Sequence, residues 1–235
     1  MAMKKTDSFY SDDSIQETHW EMAAKTRMGK YLTAVETFFI KKAVDFSKTE
    51  LVLDVGAESG RISLIALNTK TSVVSIDIDC VSLKRLRQRT KQAYVVVADA
   101  RYLPFRAEVF DAAFMVEVLD YIPELGIALG DCGRVLKFSS SCVLSFGNKS
   151  SFKGVLKGLR GKPYLHSFGS VVKVLSGSVF VFKASLGFNW VFFGRTSQNC
   201  LVPVLAWFER IFGLRRLSRY SPWVMCHVIK QLNSS

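Results

Sequence analysis

Three carboxylates are spaced along this chain so that a single ligand could meet them. Asp54 sits in the apolar run Leu51-Val-Leu-Asp-Val55, Asp77 closes Val73-Val-Ser-Ile-Asp77, and Asp99 follows Val95-Val-Val-Ala98. If these runs are parallel strands, right-handed crossovers place their C-terminal ends, and the loops after them, on one edge of a sheet. Asp54 is followed by Gly56-Ala-Glu-Ser-Gly60, where two glycines let bare backbone approach a ligand. Asp77 lies 21 residues after Gly56, close to the separation of a carboxylate that accepts from both hydroxyls of a ribose. Asp99 is placed to accept from an exocyclic adenine amine. The chemistry this spacing supports is nucleoside binding.

The loop also says which nucleoside. A dinucleotide site wants G-x-G-x-x-G with its pyrophosphate on a helix N-terminus. This chain has a G-x-x-x-G spacing, and Glu58 inside it would repel a pyrophosphate. A nicotinamide-dependent oxidoreductase is therefore disfavoured. A ligand with a zwitterionic amino-acid tail and a sulfonium suits the local acids better, with Asp54 and Glu58 facing an ammonium and a cationic sulfur.

The elements that must position these residues follow from hydrophobic period. Strand patterns fall at 51–55, 72–77, 94–98, 111–116, 141–146, 178–185 and 223–230. Helical patterns fall at 14–28, 30–46, 60–68, 80–91, 124–136, 150–158 and 167–175, with an amphipathic stretch over 201–214. Alternating strands and helices predict an α/β fold, a Rossmann-like three-layer sandwich. Its seven-stranded sheet is mostly parallel with an antiparallel last strand, and it carries N-terminal helices and a cap insertion. The expected organisation is one domain over 1–235: N-terminal helices or lid at 1–46, a cofactor-binding core at 47–146, and a substrate-side half at 147–235 with its cap at 186–222. Residues 1–13 read as frayed and polar.

Several segments together resemble the class I S-adenosylmethionine-dependent methyltransferases, in their ubiquinone-biosynthesis-like small-molecule branch. They are Leu51-Val-Leu-Asp-Val-Gly-Ala-Glu-Ser-Gly-Arg61, Ser75-Ile-Asp-Ile-Asp79, Ala98-Asp-Ala100, Leu103-Pro-Phe105, Phe110-Asp-Ala-Ala113, Val118-Leu-Asp-Tyr-Ile-Pro123 and Arg134-Val-Leu-Lys137. The resemblance implies S-adenosylmethionine as cofactor and methyl transfer as activity. It implies that Asp77 holds the ribose, Asp99 and Ala100 the adenine edge, and Gly56, Ala57 and Gly60 the methionine end, with Ile78 also among the cofactor-binding residues. It further implies that Asp54 anchors the ammonium through water and that Glu117 sits near the sulfur side.

The chain departs from that pattern in three places. Glu58 stands where the family carries glycine, so its side chain either points to solvent or crowds the cofactor. Asp120-Tyr121 replaces the family's His-His or Glu-His, and these two are the candidates for a general base or an orienting group. Phe138-Ser139-Ser140 replaces a Pro-Gly-Gly turn and predicts a reshaped, looser one. Lys30 and Tyr31 precede the first core helix, where the family closes over its cofactor. His19 and His166 read as surface or capping histidines, and Asp111 as the pin of a strand entry. No metal-ligand spacing is present.

Composition sets the remaining bounds. A length of 235 residues suffices for one α/β core, and 49% apolar residues exclude a disordered chain. The polar start lacks the apolar core of a signal peptide, and the most apolar region, 171–194, is broken by Lys173, Lys183 and Asn189. The five scattered cysteines read as reduced thiols, mostly buried, and the expected location is cytoplasmic or peripheral to a membrane. Charge is divided: from Arg134 onward there are fifteen Lys and Arg but one acid, Glu209, whereas residues 1–133 hold seventeen bases and nineteen acids. The basic half predicts an anionic partner, RNA or a membrane surface, beside a small-molecule or lipid-like acceptor. The stretch 201–214, followed by Arg215, Arg216 and Arg219, reads first as a cap helix and second as a helix resting on an anionic membrane. An RNA methyltransferase and a non-catalytic relative that binds a partner protein or lipid are the other readings of the whole.

Overall fold

The computed structural model describes residues 16–159 and 164–231, except the side chains of 157–159. One sheet is built from β1 (Leu51–Val55), β2 (Ser72–Asp77), β3 (Tyr94–Val97), β4 (Phe110–Met115), β5 (Leu136–Gly147), β6 (Phe180–Phe188) and β7 (Trp223–Lys230). Their order is β3-β2-β1-β4-β5-β7-β6. The first five are parallel, and β7 runs antiparallel between β5 and β6. The predicted mostly parallel, seven-stranded sheet with an antiparallel last strand is what forms. The chain steps outward from β1 to β3 and then returns to lay β4 on the other side of β1. That reversal leaves a crevice at the C-terminal strand ends, where ligands of open α/β sheets bind.

The helices are α1 (His19–Ala24), α2 (Arg27–Ala43), α3 (Ser63–Leu67), α4 (Cys80–Arg89), α5 (Leu125–Val135), α6 (Phe152–Leu159), α7 (Phe168–Ser176) and α8 (Val202–Ile211). Alternate strand residues serve opposite faces. Leu53, Val55, Met115 and Leu144 join a core with Leu129 of α5 and Leu175 of α7. Val52, Val73, Phe114 and Val143 join a second core with Leu32, Phe39 and Ile40 of α2. Burial on both faces is why these strands read as unbroken apolar runs.

Boundaries differ from the sequence pattern where local geometry intervenes. The 14–28 helix reduces to α1, opened by a capping box of Thr18 and Glu21, and Thr26 then caps α2. Residues 14 and 15, like the polar 1–13, lie outside the described residues. The 60–68 helix shortens to α3 because Gly60 takes φ +87°. The strand at 141–146 extends to Leu136–Gly147. Phe110 pairs with Leu136 and Ala112 with Ser141, so residues 137–140 form a bulge with Ser139 at φ +62°. The turn expected at Phe138-Ser139-Ser140 is this bulge. Asp111 accepts from the backbone N–H of Glu50 and Leu51, at 3.0 and 2.9 Å, and from Lys137 Nζ at 2.6 Å, pinning the entry of β1 as anticipated. Among the described residues no helix is long and apolar enough to cross a membrane.

Candidate functional site

A cavity of about 610 Å³ lies at the C-terminal ends of β1, β2 and β4. Residues 56–58, 77–79, 98–101, 116–118 and 121–123 wall it, and His19, Trp20 and Arg195 close it from the side of α1 and the cap. The first loop is built by Gly56, whose φ of +72° suits glycine and whose added Cβ would meet Val118 at 2.5 Å. The N–H groups of Gly56 and Ala57 both donate to Ile76 O at 2.9 Å, which ties the loop to β2.

Asp77 is held rigidly. The Glu58 N–H donates to its Oδ2 and the Asp79 N–H to its Oδ1, each at 2.9 Å. Each oxygen keeps a further lone pair for a ligand hydroxyl. Glu58 thus has a use for its backbone: it adopts φ +48° and completes the clamp on Asp77. Its side chain does not leave for solvent but lines the cavity, where burial raises its carboxyl above the usual range. Beside the clamp, Ile78 is 74% exposed at the cavity rim, an apolar side chain without cover.

Asp99 and Ala100 are also on the wall, but Asp99 has a partner that the sequence reading missed. Arg101 donates from its backbone N–H, and its Nη2 reaches Asp99 Oδ2 at 2.7 Å. Arg101 Nη1 extends to Glu124 at 2.8 Å. These bonds hold the Asp99 carboxyl below its ordinary value. The Asp-x-Arg spacing was the available signal. Glu117 lies on the wall at φ +62°, donating its N–H to Ser145 Oγ at 2.8 Å, with Oε2 2.9 Å from Arg195 Nη1.

Other candidates stand elsewhere. Asp54 is 1% exposed and does not line the cavity; it accepts from Ser63 Oγ at 2.5 Å on the opposite face of β1 from Val55, which does. Strand alternation sends the two side chains apart, and burial pushes the Asp54 carboxyl up to about 6. Gly60 sits behind the wall against Leu86. Asp120 accepts from the Gly147 N–H at 3.0 Å and holds the end of β5, so of that pair only Tyr121 is on the wall. Lys30 and Tyr31 do not reach the cavity. The Tyr31 hydroxyl instead donates to Glu209 of α8 at 2.6 Å and accepts from the Asn189 N–H at 3.1 Å. His166 contacts Leu119 O at 3.1 Å, away from the cavity, whereas His19 lines it.

The structure adds a charged layer that no local pattern predicts. Arg61 is ion-paired with the buried Glu36 of α2 and packs on the Trp20 ring at 4.3 Å. Arg195 packs on the same ring at 4.6 Å and on Trp223 at 4.7 Å, while facing Glu117. Burial pushes the Glu36 carboxyl up to about 7, with Arg61 opposing it. Thr26 Oγ1 donates to Arg195 O at 3.0 Å and the Met28 N–H to Ser197 O at 3.1 Å, strapping the cap segment across the α1–α2 junction.

Residues 53–144 match the sequence model of a methyltransferase-domain family. This core carries the sequence pattern of a methyltransferase domain. Solved structures agree in fold. An S-adenosylmethionine-dependent methyltransferase from Mesorhizobium loti superposes with a TM-score of 0.65 at 14% identity, over 85% of this chain and 100% of that one. One from Archaeoglobus fulgidus gives 0.63 at 17% identity, over 91% and 100%. Among curated relatives, an uncharacterized protein of Methanocaldococcus jannaschii is 29% identical over 136 residues, 57% of this chain and 51% of that one. A malonyl-[acyl-carrier protein] O-methyltransferase of Salmonella typhimurium is 30% identical over 86 residues, 37% of this chain and 34% of that protein. The sterol methyltransferase-like 1 protein of Botryococcus braunii is 36% identical over 93 residues, 37% and 24%. The chain thus spans between about a quarter and about half of the length of these relatives.

The cavity residues fit S-adenosylmethionine as a ligand. A clamped carboxylate, an uncovered apolar side chain beside it, and a bare-backbone glycine turn with the Glu117–Arg195 ion pair suit a ribose, a base and a zwitterionic amino-acid tail in turn.

Proposed function

We propose that this chain transfers a methyl group from S-adenosylmethionine to a small-molecule or lipid-like nucleophile admitted beneath Trp20 and Arg195. The observation that carries the reading is Asp77, fixed at the end of β2 by two backbone donors and facing the cavity beside Gly56. Bound there, S-adenosylmethionine would supply an electrophilic methyl group. The chain's residues hold the reactants and exclude water, which supplies most of the acceleration in such a transfer. Asp77 would hold the ribose, Ile78, Asp99 and Ala100 the base, and Gly56 and Ala57 the methionine end. Asp54 acts from behind, through Ser63. Asp120 is committed to the Gly147 N–H, so Tyr121 is the polar group of its turn available to orient an acceptor. A lipid-like acceptor is supported by the apolar wall of Val116, Val118 and Ile122 near the Trp20 roof. The names of two relatives, which refer to a malonyl-[acyl-carrier protein] and a sterol, point the same way.

Isothermal titration with S-adenosylhomocysteine tests the reading. Binding by the wild type and at least a tenfold loss in Asp77→Ala are expected, the scale of losing charge-assisted hydrogen bonds worth about 1.5–3 kcal/mol. No binding at millimolar ligand overturns it. Incubation of the protein with methyl-labelled cofactor and either lipid extract or total RNA separates the acceptors: label in the organic phase supports the proposal, and label in the RNA contradicts it.

A further inference from the structure

Helix α8 is turned inside out. Its one acid, Glu209, is 1% exposed, while Leu201 just before it and Val204, Trp207, Phe208, Ile211 and Phe212 along and after it are 41% to 69% exposed. Steps of three and four residues place these on one stripe. The aromatics pack on one another outside the protein: Trp207 meets Phe208 edge-on at 5.1 Å, and Phe208 stacks on Phe212 at 5.6 Å. Leu217 and Tyr220 continue the apolar surface. The orientation is enforced from within. Glu209 accepts from the Tyr31 hydroxyl, from the Trp190 N–H at 3.2 Å and from Arg215 Nε at 3.1 Å.

The charge around this stripe has one sign. Arg210, Arg216 and Arg219 are exposed beside it. Glu209 is the only acid from Arg134 to the C-terminus, and it is hidden and neutralised by Arg215. An apolar, aromatic stripe rimmed by arginines and free of outward acids is complementary to a bilayer surface with anionic headgroups. A second copy of the chain would instead bring its own arginines against these. None of the stripe residues lines the cofactor cavity.

We propose that α8 and the turn after it dock this protein on an anionic membrane surface, the aromatic stripe entering the headgroup region and the arginines meeting lipid phosphates and carboxylates. This goes beyond the methyl-transfer reading and does not depend on it. Co-sedimentation with vesicles tests it, using phosphatidylcholine alone and an equimolar mixture with phosphatidylserine. The wild type should bind the mixture, weakly at high salt, and bind phosphatidylcholine alone far less. Trp207→Ser combined with Phe212→Ser should lose at least about tenfold in vesicle affinity, and Arg216→Ala roughly fivefold. Both variants should keep the wild-type melting temperature and S-adenosylhomocysteine affinity. Equal binding to both vesicle types, or vesicle binding unchanged in the double variant, overturns the proposal. So does a wild-type dimer that the double variant dissociates while neither form binds vesicles.

Discussion

Strand β1 and helix α8 are both short, mostly apolar segments carrying one or two charges, and they dispose of them in opposite ways. β1 buries Val52, Leu53 and Val55 on the two faces of the sheet and takes Asp54 into the core with them, against Ser63. α8 takes only Val202 and Glu209 fully inward and leaves Trp207 and Phe208 outside. A carboxylate goes inside only where donors replace the water it leaves. Glu209 has donors from three residues, Tyr31, Trp190 and Arg215, and can orient a whole helix, whereas Asp54 is hydrogen-bonded by Ser63 alone and burial raises its pKa. The difference teaches that the most apolar stripe of a helix is not always its buried one: a well-satisfied charge can decide which face turns in.

The comparison breaks first at Glu209. Glu209→Ala strands the Tyr31 hydroxyl, the Trp190 N–H and the Arg215 guanidinium, and should destabilise the protein by about 3–5 kcal/mol in urea unfolding. A change under about 1 kcal/mol would mean that the aromatic side, not the acid, holds α8 in place.

Asp54 offers the second test, through pH. Its carboxyl sits at about 6 in the folded protein against an ordinary 3.8. Between about pH 4 and about pH 6 the folded state holds a proton that the unfolded chain has released, so this group's contribution to stability is present below that window and lost as pH rises through it. Asp54→Asn cannot ionise. Wild-type stability minus that of the variant should therefore fall by about 3 kcal/mol across the window, and a difference that stays flat would show Asp54 to be ionised in the fold throughout.

Gly56→Ala addresses the cavity side of β1. Alanine at φ +72° beside Val118 should cost about 1–2 kcal/mol of stability and weaken S-adenosylhomocysteine binding in titration. Full retention of both would remove the turn from the site. The smallest effect belongs to the outer face of α8: Trp207→Ser should leave stability within about 0.5 kcal/mol of wild type by thermal melting, two residues from the position with the largest effect.

The parts of the site legible in the sequence share a local origin. Asp77, Ile78, Asp99 and Gly56 follow strand ends, and strand-end position can be read from a run of five or six residues. The sheet order follows because parallel strands with right-handed crossovers have few ways to arrange themselves. The bulge at residues 137–140 was visible only as a missing glycine turn. Asp54 was misplaced on the ligand side because its proximity to the loop outweighed the alternation that separates it from Val55.

By itself, then, the sequence determined that an α/β sheet would carry a strand-end carboxylate and a glycine turn at one edge, since hydrophobic period and turn chemistry act over a few residues. Only the tertiary structure decided that Trp20, Glu36, Arg61, Glu117 and Arg195 would meet in one charged layer. It alone linked Arg101 to Glu124 and turned the aromatic stripe of α8 outward. Each of these rests on partners distant in the chain competing for a small number of buried donors and acceptors, and periodicity names a face without saying what will lie against it.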